Sequence, residues 1–433
     1  MTPELVGVIS IFTLGVFLAL RVPVGIAMIV VSTAGYGYII SPGGALSKLG
    51  SSPYIFASSY SLSVIPLFVL MGMFLSSAGL GSEIFKFANA VLGKLRGGMA
   101  MATIGASMLF SAVSGSAVAT ATTISIVAVP EMRKYKYNDS LSTGSAAVGG
   151  TLGILIPPSG VLVLYGVLTE EPIGRILIAG ILPGIMTGLL LIITTYLVVR
   201  WKPQLAPIAE YESRTMIEVL LISKTIWPIP VIFCISMGGI YGGVFTPTEA
   251  GAVGAFLSLA YTLLARRLGW GAFLESVSSA VRIVAMLFII IIGGKMFGGL
   301  VAVSRIPLSI SQSLLNLDVA PFVVILLIFI VYFLMGIFME EWATLVIMTP
   351  IIYPIIIDLG YNGIWFGVLT IMMLLTGLLT PPVGVIGFVV ASVTKVSSET
   401  VFRGLIPFWI TLLIAGLLII IFPEIALFLP NLM

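Results

Sequence analysis

The sequence predicts an all-α polytopic membrane protein built from two inverted-topology repeats, each of about five spanning helices plus one re-entrant hairpin. Three observations carry this: a very apolar composition, a polar linker that halves the chain, and a register in which the chain matches itself. Of the 433 residues, 59% are hydrophobic and 9% charged, against roughly 45–50% and about 25% in soluble domains. The 20 Lys+Arg and 17 Asp+Glu are scattered, the basic ones in short runs between apolar segments, which excludes a nucleic-acid-binding stripe. With no histidine and a single cysteine, Cys234, the chain has no means for disulfides, thiolate zinc sites or histidine acid/base catalysis, and no redox cofactor is expected. Cys234 reads as a small core hydrophobe.

In chain order, apolar segments fall near 5–20, 23–40, 54–77, 98–130, 140–169 and 175–199, then 225–245, 248–265, 280–300, 321–357, 364–394 and 405–429. A spanning helix takes about 20 residues. The first segment has no basic region before it and no clear cleavage site, so it reads as a retained span. Between the two series lies 200–224 with Arg200, Lys202, Glu210, Glu212, Arg214, Glu218 and Lys224, a cytoplasmic linker between repeats 1–199 and 225–433.

Displacing the sequence by 224 residues pairs 115–161 with 339–385. The matches include Ala119/Ala343, Thr120/Thr344, Pro130/Pro354, Tyr137/Tyr361, Asn138/Asn362 and the whole pattern Gly-x-x-x-Pro-Pro-x-Gly-Val at Gly153 and Gly377. Gly180/Gly404 and Pro183/Pro407 continue it. This is an internal duplication.

Charge gives the topology. Lys94 and Arg96 precede 98–130, and Arg133, Lys134 and Lys136 follow it, so both ends face the cytoplasm. Thirty-three residues are short for two crossings and a turn, so the segment reads as a re-entrant hairpin with its tip near Ser111–Ser116. Its counterpart 321–357 is flanked by Asp318 and Asp358 and enters from the other side. Arg21, Arg200, Arg266, Arg267, Lys395 and Arg403 then share the cytoplasmic face, with both termini outside. An odd number of spans per half inverts the second copy, as in secondary transporters.

The segments after the hairpins, 140–169 and 364–394, read as broken helices. Pro157 and Pro158 lack N–H groups, which frees the carbonyls of Gly153 and Ile154, and Pro381 and Pro382 free those of Gly377 and Leu378. Such oxygens at mid-membrane form a hard neutral site suited to sodium; the plainer alternative is a structural proline kink. Ser111, Ser114, Ser116, Thr120, Thr122, Thr123 and Ser125 crowd the first hairpin, where helix N-termini attract anions, although hydroxyls also serve helix packing. Lys295, Glu340 and Glu341 are intramembrane charges and hence candidates for function. Lys295 either neutralises one of the glutamates or meets an anionic substrate. Thr246-Pro247-Thr248-Glu249 reads as a capping box. No Walker pattern is present, so ATP is not expected as energy source.

These residues resemble a known family, the DctM-like large membrane subunit of tripartite ATP-independent periplasmic (TRAP) transporters. The resemblance runs almost end to end, through Arg21-Val22-Pro23-Val24, Ile65-Pro66-Leu67-Phe68, Leu95-Arg96-Gly97-Gly98, Ser114-Gly115-Ser116-Ala117-Val118-Ala119, Ile156-Pro157-Pro158-Ser159, Tyr165-Gly166-Val167-Leu168-Thr169, Phe245-Thr246-Pro247-Thr248-Glu249-Ala250 and Leu379-Thr380-Pro381-Pro382-Val383-Gly384.

The resemblance implies an elevator-type transporter, a transport domain of hairpins and broken helices moving against a scaffold, in the bacterial inner membrane. It implies sodium coupling at about two sites, one using Ser111 or Ser114 with Gly153, Ile156 and Pro158, the other Gly336, Gly377, Thr380 and Val383. Substrate-binding candidates are Ser114, Ser116, Thr120, Ser159, Thr344 and Pro382. It also implies a small four-helix membrane subunit (Q), a periplasmic substrate-binding protein (P) and an organic-anion substrate, a carboxylate or sulfonate. The sequence departs from the family pattern at Thr120, where an Asp often stands, and at Glu340-Glu341, where an Asp and a small residue are usual. A stand-alone sodium/dicarboxylate symporter is the alternative within this architecture. An intramembrane hydrolase lacks a nucleophile–base pair or paired aspartates, and paired hairpins favour alternating access over a passive channel.

Overall fold

The computed structural model describes residues 1–207, 222–316 and 320–433. Glu210, Glu212, Arg214, Glu218 and Asp318 lie outside the described residues, within which every regular element is helical. The first half contains α1 (Pro3–Ala19), α2 (Val24–Ile39), α3 (Pro42–Ala57), α4 (Val64–Ser77), α5 (Leu80–Leu92), α6 (Gly98–Ser114), α7 (Ala117–Lys134), α8 (Asp139–Thr151), α9 (Gly160–Thr169), α10 (Ile173–Ala179) and α11 (Ile181–Trp201). The second contains α12 (Pro228–Tyr241), α13 (Pro247–Leu264), α14 (Trp270–Val303), α15 (Ile306–Asn316), α16 (Pro321–Phe338), α17 (Glu341–Asp358), α18 (Gly363–Leu378), α19 (Val385–Thr394), α20 (Ser398–Ile421) and α21 (Glu424–Asn431).

Among the described residues, six helical stretches are long and apolar enough to cross a bilayer: Tyr60–Ser77, Ile173–Trp201, α14, α16, α17 and α20. The other apolar helices are shorter, among them α1 and α2 with 17 and 16 residues. Each broken helix consists of two shorter helices on either side of a Pro-Pro pair, α8 and α9 around Pro157-Pro158 and α18 and α19 around Pro381-Pro382.

The duplication is visible helix by helix. Hairpin 1 is α6–α7, turning at Gly115-Ser116; hairpin 2 is α16–α17, turning at Met339-Glu340. The limits of α17 are those of α7 displaced by 224 residues at both ends. The repeated Tyr-Asn pair has a local cause: the Asn138 side chain accepts from Ser140 N, and that of Asn362 from Ile364 N and Trp365 N, so each asparagine caps the first helix of a broken pair.

The two copies are antiparallel. Broken helix 1, α8 then α9, ends where broken helix 2 begins: Tyr165 Oη donates to Gly363 O at 2.7 Å, and Tyr353 Oη donates to Glu171 Oε1 at 2.7 Å. Broken helix 2, α18 then α19, ends where broken helix 1 begins. There Arg133 donates Nη1 to Thr394 O at 3.3 Å and Nε to Asp139 Oδ1 at 2.7 Å. One end of the bundle is thus cationic, with Arg133, Lys134 and Lys395, and the other carries Glu170 and Glu171.

Small residues let these helices meet backbone to backbone. Nearly all of α8 is buried, built from Ser, Thr, Ala and Gly; a Cβ on its Gly144 would stand 2.6 Å from Gly404 O in α20. Such close approach is the main association device in lipid. The hairpins and broken helices pack on one another, α7 on α8 and α19, α16 on α18, whereas α2, α4, α13 and α14 pack together beside them. Cys234, expected in the core, is exposed on α12. A bilayer-facing surface is as apolar as a core, so composition does not separate the two. The capping box at Thr246 and Glu249 is formed, with both bonds present.

Candidate functional site

Hairpin 1 is held against the first helix break by contacts between backbones. Gly115 turns the tip at φ 58°, a conformation that favours glycine, and a Cβ there would strike Pro158 O. Across the tip, Ser114 Oγ and Thr120 Oγ1 share a hydrogen bond of 2.6 Å. Ser116 caps α7, its hydroxyl accepting from Ala119 N at 3.4 Å. A Cβ on Gly153 would lie 2.6 Å from Ser116 O and 3.0 Å from Thr120 Oγ1. Ser114, Ser116, Thr120, Gly153 and Pro158 therefore come together. Ser111, one turn before the tip in α6, is fully buried and its hydroxyl has no hydrogen-bond partner. Ile156 is buried, with its side chain against Gly184.

Of the carbonyls freed by the prolines, that of Ile154 is taken: Ser159 Oγ donates to it at 2.5 Å and accepts from Leu162 N at 3.3 Å. A hydroxyl replaces the missing N–H and caps α9 at the same time. Ser159 is therefore engaged inside the break.

The second break repeats the plan with different surroundings. Gly336 of α16 lies directly on Gly377 of α18, where a Cβ would stand 2.7 Å from Gly336 C and 2.9 Å from Phe333 O. The Gly377 carbonyl, expected free, accepts Thr380 N at 2.9 Å, because the chain tightens into a turn ahead of the prolines. Thr380 Oγ1 donates to Thr376 O at 2.7 Å and accepts from Trp409 Nε1 at 2.8 Å, leaving one lone pair. Val383 is half-buried and Pro382 exposed, whereas Pro157 and Pro158 are buried. Thr344 is buried one turn into α17, donating to Glu340 O at 3.1 Å.

Both hairpin tips open on one cavity of about 270 Å³. Hairpin 1 contributes Ser114, Gly115, Ser116 and Ala119, the first break Pro158 and Gly160, and hairpin 2 Glu340, Glu341 and Trp342. The facing wall is α4, with Phe68 and Gly72, and α14, with Met286 and Leu287. Thr120, Ser159, Thr344 and Pro382 are not in its lining. Trp342, which packs against Gly160, and the two facing helices are absent from the sequence-derived candidates; apolar residues at a cavity, in a core and against lipid share one pattern.

Lys295 pairs with neither hairpin glutamate. Its Nζ lies 3.6 Å from Glu170 Oε1, in a separate cavity of about 610 Å³ at the Glu171 end of the bundle. Glu170 is 86% exposed, so the pair is worth little, about 0–1 kcal/mol. Lys295→Met is expected to leave the thermal midpoint close to wild type, checked by a melt; a counter-ion of Glu340 or Glu341 would lower it.

Inverted broken helices and facing hairpins around a shared cavity define a secondary-transporter permease. A family model, the DctM component of tripartite ATP-independent periplasmic transporters, matches residues 11–425, and the chain belongs to that family; it is a large permease component and not an enzyme. It is 36% identical to the C4-dicarboxylate TRAP transporter large permease protein DctM of Pseudomonas aeruginosa, over 86% of each chain, and 32% identical to the sialic acid TRAP transporter large permease protein SiaM of Vibrio cholerae, over 95% of each. The isethionate TRAP transporter permease protein DctMQ of Oleidesulfovibrio alaskensis is 33% identical; the match covers 95% of this chain and 64% of that longer protein. The YdaH transporter of Alcanivorax borkumensis shares the fold, with a TM-score of 0.65 and 14% identity over 88% of this chain and 89% of that one.

Proposed function

We propose that this chain takes up a small organic anion in symport with sodium across the bacterial inner membrane. It works with a small four-helix membrane subunit and a periplasmic protein that delivers the substrate. The relatives named for isethionate, C4-dicarboxylates and sialic acid support an organic anion, and family membership supports both partners. The single observation that carries the reading is the convergence of both hairpin tips and the first helix break on one cavity, whose other wall belongs to α4 and α14.

In this reading Ser111 and Ser114 with the carbonyls of Gly153, Ile156 and Pro158 hold one sodium ion, and Gly336, Gly377, Thr380 and Val383 hold another. Hydroxyls and carbonyls are the hard neutral oxygens such an ion takes; the buried, unpartnered Ser111 hydroxyl fits the role. Bound sodium ties each hairpin to its break and offsets the charge of the anion. The anion lies at the start of α7, where N–H groups and the helix dipole favour it. Hairpins and broken helices then move as one body past α4 and α14, an elevator.

The test is uptake into proteoliposomes holding the chain with its small subunit, using labelled carboxylates and sulfonates, with and without a sodium gradient and candidate binding proteins. Uptake that needs both sodium and one binding protein is expected. Sodium-driven uptake without any binding protein would make the chain a stand-alone symporter, and uptake indifferent to sodium would remove the coupling ion.

A further inference from the structure

The shared cavity is electrically two-sided. On the hairpin 1 side it meets the starts of α7 and α9 at Ser116 and Gly160, two helix N-termini with no carboxylate in the first turn. On the hairpin 2 side it meets Glu340 and Glu341. Glu341 is only 3% exposed, yet it forms part of the cavity wall. No lysine or arginine lines the cavity among the described residues, and Lys295 is engaged with Glu170 elsewhere.

Glu341 is a carboxylate in water-poor surroundings and costly to desolvate, and the neighbouring Glu340, exposed at the hairpin tip, sets a like charge beside it. The N-terminus of α17 offsets part of that cost. A cationic group in what fills the cavity would offset the rest. Trp342, next to Glu341 in the chain, lines the same cavity, as does Phe68 of the facing wall, and carboxylates with π faces are the partners that a substituted ammonium group seeks.

We infer that the transported molecule is a zwitterion: its carboxylate or sulfonate sits at the starts of α7 and α9, and its cationic nitrogen sits against Glu340, Glu341 and Trp342. This rests on the proposed transport of an organic anion and narrows it. A dicarboxylate would set its second negative group against the glutamates and is rejected. A cavity of about 270 Å³ suits a small molecule.

The test uses matched pairs that differ in charge at the nitrogen position: taurine against isethionate, β-alanine against 3-hydroxypropionate, and glycine betaine against 3,3-dimethylbutanoate. Binding of each to the purified complex of this chain with its small subunit is measured by calorimetry in sodium, and competition for sodium-driven uptake is measured in proteoliposomes. In at least one pair the zwitterion is expected to bind about tenfold or more tightly than its partner. Glu341→Gln, or Glu340→Gln if the first does not fold, is expected to bring the two members of that pair within about threefold without changing the sodium half-saturation. Sodium-driven uptake of organic anions with the zwitterion never preferred overturns the inference and leaves the transport reading standing. So does a variant that changes sodium half-saturation but not the pair ratio, since the glutamates would then serve the ion. Absence of sodium-driven uptake for every anion, zwitterionic or not, overturns both. The wild-type pair ratio decides even where no variant folds.

Discussion

Gly377→Ala is expected to lower sodium-driven uptake at least tenfold and to raise the sodium half-saturation by a similar factor, with the complex still folded and membrane-inserted. The added methyl would stand 2.7 Å from Gly336 C and 2.9 Å from Phe333 O, both backbone atoms, against a comfortable carbon separation of about 3.5–4.0 Å. No rotamer relieves this contact. The first arm of hairpin 2 has to back away from the break by about 1 Å, and misplacement on that scale is enough to spoil an ion site built from fixed carbonyls. Overpacking of this kind costs about 1–3 kcal/mol, which a polytopic protein survives. The control is Gly238→Ala in α12, where a new Cβ meets nothing within 4 Å. Replacing that helical glycine is expected to be neutral or stabilising by up to about 1 kcal/mol and to leave uptake unchanged. Sodium titrations of uptake with a thermal melt of each variant check the pair. Equal losses in both variants, or a Gly377 variant with normal sodium dependence, would remove Gly377 from the proposed sodium site.

The hairpins and helix breaks were legible because their causes are local. Asn138 and Asn362 cap, Gly115 turns, and the duplicated Gly-x-x-x-Pro-Pro-x-Gly interrupts a helix wherever it occurs. Inversion followed from the basic residues around 98–130, and Arg133 and Lys395 do share one end of the bundle. What depends on surroundings was not legible. Pro157-Pro158 and Pro381-Pro382 are the same motif, yet the first pair is buried beside the cavity and the second exposed; no periodicity records that difference. Lys295 and Glu170 meet through tertiary packing that no register links. The wall of the cavity contributed by Phe68, Gly72, Met286 and Leu287 carries the same chemistry as a lipid-facing surface. Ser159 is a polar residue in a promising motif, but its hydroxyl is spent closing the first break on the Ile154 carbonyl, a task the second break manages with Val383 at the same place.

Ser111→Ala should separate folding from coupling more sharply than any other change at hairpin 1. The Ser111 hydroxyl is fully buried and unpartnered, a condition that costs about 1–3 kcal/mol when nothing bonds the group. Removing it without sodium is therefore expected to leave the thermal midpoint unchanged or to raise it. With sodium the sign reverses. An ion at one hundred times its Kd stabilises the folded form by about 2.7 kcal/mol. Loss of one ligand oxygen that weakens binding tenfold leaves about 1.4 kcal/mol of that at the same sodium concentration. The two melting curves, plotted against sodium, should cross: the variant at least as stable as wild type in potassium, less stable in high sodium, and about tenfold less responsive in uptake at limiting sodium. A hydroxyl that serves packing alone would displace the variant's curve by a constant amount at every sodium concentration. That parallel displacement would take Ser111 out of the ion site and leave Ser114, already bonded to Thr120, as the hydroxyl available to the first sodium.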